Sequence, residues 1–341
     1  MSLVEQVRGV LSSAVTIEQT CVRQAEQIDA LVRQVAVLTA DNAALRERLE
    51  ATPPPEPDRG ETPDTQWGFV ANDTDTLAAV RAGLRRMKSD GGQWLRLWHS
   101  HFGAFSPATV DLIDAAAGLG VRTIVCVQPK DTASEPLGTP DFTAFVNRNA
   151  AALRRVYAVE AGNELNLAQY RPDDLGGGSD WHKPYVDRWL RPLSTALAGI
   201  GVKTLCTSIT DTYHPENYGL NYDALLAAGA RDCCDGVALH AYLLPQSLQM
   251  LATVVGDLKT KWAKPIHVTE CNVHMQGVST AQWPGRFAAY FDALRDSGVT
   301  SVQFYRGVPK TNGKWDWPTL FDKAGVPTDA YAVLLAAVKS Q

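Results

Sequence analysis

Eight short apolar runs recur along the chain after residue 66, and this repetition constrains the fold more than any other feature. Each run has the length of a β-strand. The intervals between them carry apolar residues at helical spacing, as in DTLAAVRAGLRRMKS (75–89) and FTAFVNRNAAALRR (142–155). The eight runs are WGFV (67–70), QWLRLW (93–98), VRTIVCV (121–127), VYAVEAG (156–162), KTLCTS (203–208), GVALHAY (236–242), PIHVTE (265–270) and SVQFYR (301–306).

Eight strand–helix units predict an α/β fold, a (β/α)8 TIM barrel over residues 67–341, because parallel strands with intervening helices close into a barrel at that number. A doubly wound open sheet is the alternative for the same alternation. That fold normally begins with a glycine-rich turn after its first strand, whereas VANDTDT (70–76) contains no glycine. The barrel is therefore the expected architecture.

Residues 1–50 carry a different period, a heptad repeat that predicts a long N-terminal coiled-coil helix. β-branched residues at position a, leucine at d and a single Asn42 at a favour a parallel dimer, with a trimer as the alternative. We therefore expect self-association through this segment. Positions a are Val7, Ala14, Cys21, Ile28, Val35, Asn42 and Leu49, and positions d are Leu3, Val10, Ile17, Gln24, Leu31, Leu38 and Leu45.

Residues 51–66, ATPPPEPDRGETPDTQ, are rich in proline and lack apolar periodicity, so they predict a semi-rigid linker between stalk and barrel. The net charge of −5 and the pI near 5.8 argue against nucleic acid or an anionic membrane as a partner. No apolar run reaches the ~18 residues of a membrane span, and the N-terminus shows no secretory signal. The six cysteines match no zinc-site spacing and are expected to be reduced.

Polar side chains collect where the predicted strands end, which is where a (β/α)8 barrel places its reactive groups. Glu164 and Glu270 are the only carboxylates directly at these predicted ends, after strands 4 and 7, and Asn163 precedes Glu164. The other polar residues are Arg96, His99 and His101 after strand 2, Gln128 after strand 3, Asn166 after strand 4, His240 and Tyr242 on strand 6, Asn272 after strand 7, and Tyr305 and Arg306 on strand 8.

Two facing carboxylates suit the cleavage of a glycosidic bond. One must be protonated to give a proton to the leaving oxygen, and the other must be ionised to attack the anomeric carbon or activate a water. Arg96 and Tyr242 are expected to contact Glu270 and hold it ionised, and Asn163 suits a hydrogen bond to a sugar hydroxyl. Five tryptophans are candidates for either core packing or sugar stacking: Trp94, Trp98, Trp181, Trp315 and Trp317.

Four motifs together resemble those of the clan of retaining (β/α)8 glycosidases that includes cellulases, β-mannanases, β-xylosidases and α-iduronidases. AGNELNL (161–167) resembles the strand-4 Trp-Asn-Glu-Pro-Asn motif, and KPIHVTECN (264–272) the strand-7 nucleophile motif. CDGVALHAY (234–242) and WLRLWH (94–99) resemble the strand-6 and strand-2 motifs. The resemblance covers residues 67–340. Leu165 stands where proline is usual, Gly162 where tryptophan is common, and FYRG (304–307) ends strand 8 in place of a plain tryptophan.

The resemblance implies a glycoside hydrolase that acts by double displacement on a β-linked oligo- or polysaccharide, without a cofactor. It assigns Glu164 as the acid/base, Glu270 as the nucleophile and Asn163 as a contact of the sugar 2-hydroxyl. Arg96, His240 and Tyr242 would line the same subsite, and Asn166, His99 and Tyr305 complete the expected substrate-binding set.

Two other functions stay open. A non-catalytic glycan-binding barrel on an oligomeric stalk would use the same cleft without turnover. A metallohydrolase barrel would use His99, His101, His214 and His240 as ligands, although their positions on the strands do not match that class. For either glycan-directed function, a shared stalk suggests a virion or other particle component acting on cell-envelope polysaccharide, with a cytoplasmic protein as the alternative.

Overall fold

The computed structural model describes residues 66–99, 102–128, 140–175, 180–210, 216–242, 248–272, 282–309 and 318–339. The coiled coil predicted for residues 1–50 and nearly all of the linker predicted for 51–66 lie outside these ranges. So do His101, His214, Trp315 and Trp317.

Eight parallel strands pair in chain order, and the eighth pairs with the first to close the barrel. The prediction of a (β/α)8 barrel is confirmed, and closure rules out the doubly wound alternative. The strands are β1 (Gln66–Asn72), β2 (Trp94–His99), β3 (Arg122–Val127), β4 (Ala158–Ala161), β5 (Lys203–Cys206), β6 (Gly236–Ala241), β7 (Ile266–Cys271) and β8 (Ser301–Phe304).

Helices follow the strands at the predicted positions. Two of them start at side-chain caps: Ser106 Oγ accepts from the Thr109 amide at 3.1 Å, and Asp141 Oδ1 accepts from the Ala144 amide at 2.9 Å. The helices are α1 (Leu77–Ser89), α2 (Pro107–Gly118), α3 (Phe142–Leu153), α4 (His182–Tyr185), α5 (Arg191–Ala198), α6 (Glu216–Ala227), α7 (Leu248–Trp262), α8 (Trp283–Asp296) and α9 (Asp329–Lys339), with a π-helical turn, Val186–Leu190, between α4 and α5.

The strands read as nearly continuous apolar runs because both of their faces are buried. The large core lies between the outer face of the sheet and the helices, and its members include Leu95, Val125, Val159 and Leu239. These four residues occupy alternate positions to a second, smaller cluster that fills the inside of the barrel. We call this cluster the lower layer: Trp94, Ile124, Ala158, Leu205 and Ala238.

On three of these strands, the next inward-facing residue after the lower layer is polar. Side chains two residues apart on a strand share a face, so Arg96, Glu160 and His240 follow Trp94, Ala158 and Ala238 toward the C-terminal end of the barrel. All three of these polar side chains have no exposed surface. We call them the upper layer, and they form the floor under the strand ends where the candidate site lies.

Three further expectations meet the structure. Five cysteines lie in the described ranges, and all five are buried and free. The described helices include none that is long and apolar enough to cross a membrane. Arg96, which was grouped with the residues at the end of strand 2, lies within β2 three positions before that strand ends at His99.

Candidate active site

Arg96 is the centre of the site, and each of its nitrogen donors serves a different acceptor. Its Nε donates to Glu160 Oε2 at 2.6 Å, its Nη2 donates to Asn163 Oδ1 at 2.7 Å, and its Nη1 donates to Glu270 Oε1. Burial alone would lower the pKa of Arg96, but the carboxylates of Glu160 and Glu270 raise that pKa well above its ordinary value. The guanidinium is therefore a permanent cation under the site.

Glu270 is surrounded by groups that favour its ionised form. Tyr242 Oη donates to Glu270 Oε2 at 2.7 Å, while Arg96 occupies the other oxygen. Burial alone would raise the pKa of the Glu270 carboxyl, but the charges of His240 and Arg96 and the hydrogen bond from Tyr242 outweigh it, so the pKa lies below its ordinary value. Burial and the neighbouring Glu270 charge raise the pKa of Tyr242 well above its ordinary range, which keeps the phenol a donor.

Glu164 lies in the turn after β4, with a backbone conformation that is rare for a residue with a side chain. Its φ is +50°, and Gly162 two residues earlier has a φ of +102°. A Cβ on Gly162 would come within 2.9 Å of the Leu165 side chain, which is fully buried against it. Gly162 and Leu165 are two of the departures from the resembled motif, and they fit together as a pair.

Hydrogen bonds tie this turn to the end of β5. Tyr185 Oη donates to the Ala161 carbonyl at 2.8 Å and accepts from the Thr207 amide at 2.9 Å. The Asn166 amide side chain is engaged at both ends by the backbone of Thr210, with its Nδ2 donating at 2.6 Å and its Oδ1 accepting at 3.2 Å. Asn166, expected to bind substrate, is therefore placed as a clamp that holds the turn carrying Glu164.

His240 connects the two candidate catalytic carboxylates. Its Nδ1 lies 2.8 Å from Glu164 Oε1 and 3.6 Å from Glu270 Oε2, and its Nε2 lies 3.8 Å from Glu160 Oε1. One carboxylate oxygen each from Glu164 and Glu270 and a ring nitrogen of His240 all lie within 4.8 Å of one another. Both glutamate side chains keep 12 % of their surface exposed, so the pair opens to solvent from a buried floor.

Two further predicted substrate-binding residues, His99 and Tyr305, lie at the C-terminal ends of β2 and β8. His99 is fully buried, with its Nδ1 3.3 Å from Asp73 Oδ2 and its ring 4.8 Å from that of Phe105. Tyr305 follows β8 and remains partly exposed, with its ring 6.2 Å from that of Tyr242. Of these two, Tyr305 lies beside a residue that touches Glu270.

The tryptophans divide between core and cleft. Trp94 and Trp181 are buried, which assigns them to packing. Trp98 lies on β2, remains partly exposed and donates from Nε1 to Gln128 Oε1 at 2.9 Å. Of the three candidate tryptophans within the described ranges, Trp98 is the one that retains surface for stacking against a sugar.

The structure corrects one expectation about the carboxylates and adds a residue. Asp73 directly follows β1, because that strand extends to Asn72, so Glu164 and Glu270 are not the only acids at strand ends. Sequence reasoning missed Glu160, which lies within β4 in the apolar run VYAVEAG. The signal was present, because an acid inside a short strand that is buried on both faces needs a buried partner.

Glu164, His240 and Glu270 form the one group of three potential metal-ligating side chains in the described ranges. Glu164 already pairs with His240, and Glu270 already accepts hydrogen bonds from Arg96 and Tyr242. The arrangement is a hydrogen-bonded ion network rather than an open set of donors, so it fits a resident metal poorly. The metallohydrolase prediction has no further support in the described residues, where His99 lies against Asp73 and Phe105.

Comparison with solved structures finds the same fold in two glycanases. TsXylA, an intracellular xylanase from Thermoanaerobacterium saccharolyticum, superposes with a TM-score of 0.55 at 14% identity, over 80% of this chain and 95% of that one. An endo-β-1,4-mannanase from Thermotoga petrophila superposes with a TM-score of 0.52 at 13% identity, over 82% of this chain and 77% of that one. This chain shares their barrel fold. No protein-family model matches the chain, and no curated protein does so significantly.

Proposed function

We propose that this protein is a retaining glycoside hydrolase, with Glu164 as the acid/base and Glu270 as the nucleophile. The observation that carries the proposal is the separation of the two carboxylates, whose nearest oxygens lie within 4.8 Å. Retaining enzymes keep their carboxyl groups roughly 5–5.5 Å apart, whereas inverting enzymes need roughly 6.5–9.5 Å to admit a water. A pair this close supports direct attack by one carboxylate.

The surroundings of the two glutamates support the division of roles. In the first step, a Glu270 oxygen would attack the anomeric carbon, the glycosidic C–O bond would break, and protonated Glu164 would transfer its proton to the leaving oxygen. Arg96 and Tyr242 stabilise the ionised form of Glu270 that this step requires. His240 lies 2.8 Å from Glu164 and is placed to orient that carboxyl group.

In the second step, Glu164, now ionised, would take a proton from water as the water oxygen attacks the anomeric carbon. The ester bond to Glu270 would then break, and Glu164 would be protonated again. Asn163 would contact the sugar 2-hydroxyl through its Nδ2 group, because its Oδ1 accepts from Arg96. Tyr305 and Trp98 would bind the sugar faces.

The neighbours in fold and the resembled motifs support one substrate class. The xylanase was solved with xylotetraose, and the second neighbour is a β-1,4-mannanase. We therefore propose a β-linked oligo- or polysaccharide as the substrate of this protein. The proposal includes no cofactor.

The test is turnover of 4-nitrophenyl β-glycosides of xylobiose, cellobiose and mannobiose, with the first-formed anomer followed by NMR. We expect the β-anomer to appear first, and we expect Glu164→Gln and Glu270→Gln to lose turnover while remaining folded. First appearance of the α-anomer would overturn the retaining mechanism. Binding of the corresponding oligosaccharides without any turnover by the wild-type protein would instead favour the non-catalytic glycan-binding barrel.

The biological setting is a second part of the proposal and rests on the heptad repeat. Several copies of one cleft on a shared stalk of residues 1–50 would bind a polymeric surface with greater avidity than one copy. We propose a particle-bound enzyme that acts on cell-envelope polysaccharide. Sedimentation of the full chain as a dimer or trimer, and as a monomer after removal of residues 1–50, would support this. A monomeric full chain would contradict it.

A further inference from the structure

Glu160 is a third carboxylate beneath the catalytic pair. It lies on β4 two residues beyond Ala158 of the lower layer, and none of its side chain is exposed. Its Oε2 accepts from Arg96 Nε at 2.6 Å, and its Oε1 accepts from Thr269 Oγ1 at 3.4 Å. Its distance from solvent excludes contact with substrate, so any effect on the reaction must pass through its neighbours.

We propose that Glu160 is a positioning residue that holds Arg96 so that the guanidinium contacts one oxygen of Glu270 and the side chain of Asn163 at the same time. This inference rests on the proposed function, because it takes Glu270 as the nucleophile. It concerns the part of the reaction that forms and breaks the bond to Glu270.

The geometry of the guanidinium carries the argument. Its donors form a rigid planar fork, so one fixed donor directs the other two. An arginine beside a single carboxylate tends to bind both oxygens at once. With Nε held by Glu160, Arg96 reaches only Oε1 of Glu270, and Oε2 accepts from Tyr242. Glu160 thereby prevents Arg96 from pairing with both oxygens of the nucleophile.

Charge supports the same role. Glu160 and Glu270 share one fully buried cation, so the negative charge of Glu160 reduces the attraction of Arg96 for Glu270. A nucleophile held too strongly by a cation would attack less readily. Thr269, the residue directly before Glu270, donates to the second oxygen of Glu160 and links the two glutamates along β7.

The test compares Glu160→Gln with Asp75→Asn. Gln keeps an oxygen to accept from Arg96 but removes the charge. Asp75 is the matched control, because it forms another buried carboxylate–arginine pair, with Arg306, and its second oxygen accepts from the Asn72 amide. The kcat/KM of each variant, corrected for folded fraction, is measured with 4-nitrophenyl and 2,4-dinitrophenyl β-glycosides of the disaccharide that the wild type cleaves.

We expect Glu160→Gln to lose about 10²-fold in kcat/KM, the size of effect that a misplaced reacting group produces, and to lose it equally with both leaving groups. Glu164→Gln is the contrast, because its loss shrinks with 2,4-dinitrophenol, which leaves without a proton. A Glu160→Gln loss that also shrinks would overturn the proposal and place Glu160 with the acid/base. A loss no larger than that of Asp75→Asn would reduce Glu160 to a structural residue.

A second readout needs no substrate, so it separates this inference from the proposed function. Titration of the ¹³C-labelled Glu270 carboxyl by NMR should show a lower pKa in Glu160→Gln, because Arg96 then acts on Glu270 alone. An unchanged or higher value would overturn the sharing of charge even if the enzyme is active. The charged and titratable groups that face Glu270 are Arg96 from β2, Glu164 after β4, His240 from β6, Tyr242 after β6 and Tyr305 after β8.

Discussion

The lower and upper layers of the barrel interior lie on the same strands, yet they have opposite chemistry. Trp94, Ala158 and Ala238 are apolar, and the residues two positions further on are Arg96, Glu160 and His240. Both sets are completely removed from solvent. The lower layer fills the barrel by packing, whereas Arg96 and His240 of the upper layer contact Glu270 and Glu164. The apolar packing layer and the polar layer are therefore only two residues apart along each of these strands.

Two of the buried histidines of the barrel, His267 and His240, show the same contrast. His267 lies 5.4 Å from the ring of Trp94 in the lower layer, and burial followed by the charges of Lys203 and Arg122 lowers its pKa to about 3. His240 lies instead within 4 Å of three carboxylates. Position along the strand decides whether a buried imidazole meets cations or anions.

Loss of the central cation should have the largest effect. Arg96→Met leaves Glu160 and Glu270 buried with their main counter-charge removed, which costs about 3–5 kcal/mol of unfolding free energy for a buried pair that loses one partner. We also expect kcat/KM to fall by at least about 10²-fold. Urea denaturation and steady-state kinetics measure the two quantities.

The control for Arg96→Met is Arg122→Met. Arg122 borders the lower layer, with its guanidinium 5.3 Å from the Trp94 ring, and its described contacts include neither catalytic glutamate. It should lose some stability and keep its kcat/KM. Equal losses of activity in both variants would show that the two layers are not functionally distinct.

Removal of a side chain from the lower layer should have a large effect on stability and little effect on activity. Trp94→Ala opens a cavity inside the barrel and should lower the unfolding free energy by about 3–5 kcal/mol. The folded fraction should keep most of its kcat/KM. Trp98→Ala, four residues along β2 and partly exposed, should cost less stability and raise KM if its ring binds sugar. The division into layers would be contradicted if Trp94→Ala changed the kinetics and Trp98→Ala caused the larger loss of stability.

The sequence predicted the strands of the barrel better than it predicted the upper layer beneath the site. Apolar runs and helical spacing report burial directly, so the predicted strand bounds were close to the observed ones. Strand β2, for example, was expected to end at Trp98 and ends at His99. Glu164, Glu270, Tyr242 and Arg96 were named, and the structure brings them together. Glu160 was missed because its role depends on which residue faces it across the barrel. That pairing is a property of closure and stagger, which no local pattern contains.

Asn166 and His99 were expected to bind substrate, and the sequence did not reveal their partners in the fold for a similar reason. An asparagine in the turn after a strand suits a sugar contact as well as a backbone contact, and only the position of Thr210 selects the second. His99 is the last residue of β2, one position beyond the predicted end, and the longer β1 brings Asp73 beside it. Both outcomes depend on neighbouring strands that lie far away in sequence.

Acidification should lower the stability of the protein through the buried, neutral His267. His267 has a folded-state pKa of about 3 against an ordinary value of about 6.5, so between these values the unfolded chain binds the extra proton. Its neutral form therefore contributes stability above pH 6.5 that is lost as pH falls toward 3, to the extent of a few kcal/mol. His267→Gln should flatten this part of the stability profile. A slope that survives in His267→Gln would contradict the assignment.

The smallest effect should come from one hydrogen bond of Glu270. Tyr242→Phe removes the donor 2.7 Å from Oε2, and a hydrogen bond to a charged group contributes about 1.5–3 kcal/mol. Because that bond lowers the pKa of Glu270, its loss should raise the pKa and move the acid limb of kcat/KM to higher pH. Tyr218→Phe is the matched control, since Tyr218 on α6 is also buried and its hydroxyl donates to the His240 carbonyl at 2.6 Å. It should lower stability and leave the acid limb in place. An acid limb that moves in Tyr218→Phe as far as in Tyr242→Phe would mean that packing around β6, and not the direct hydrogen bond, sets the ionisation of the nucleophile.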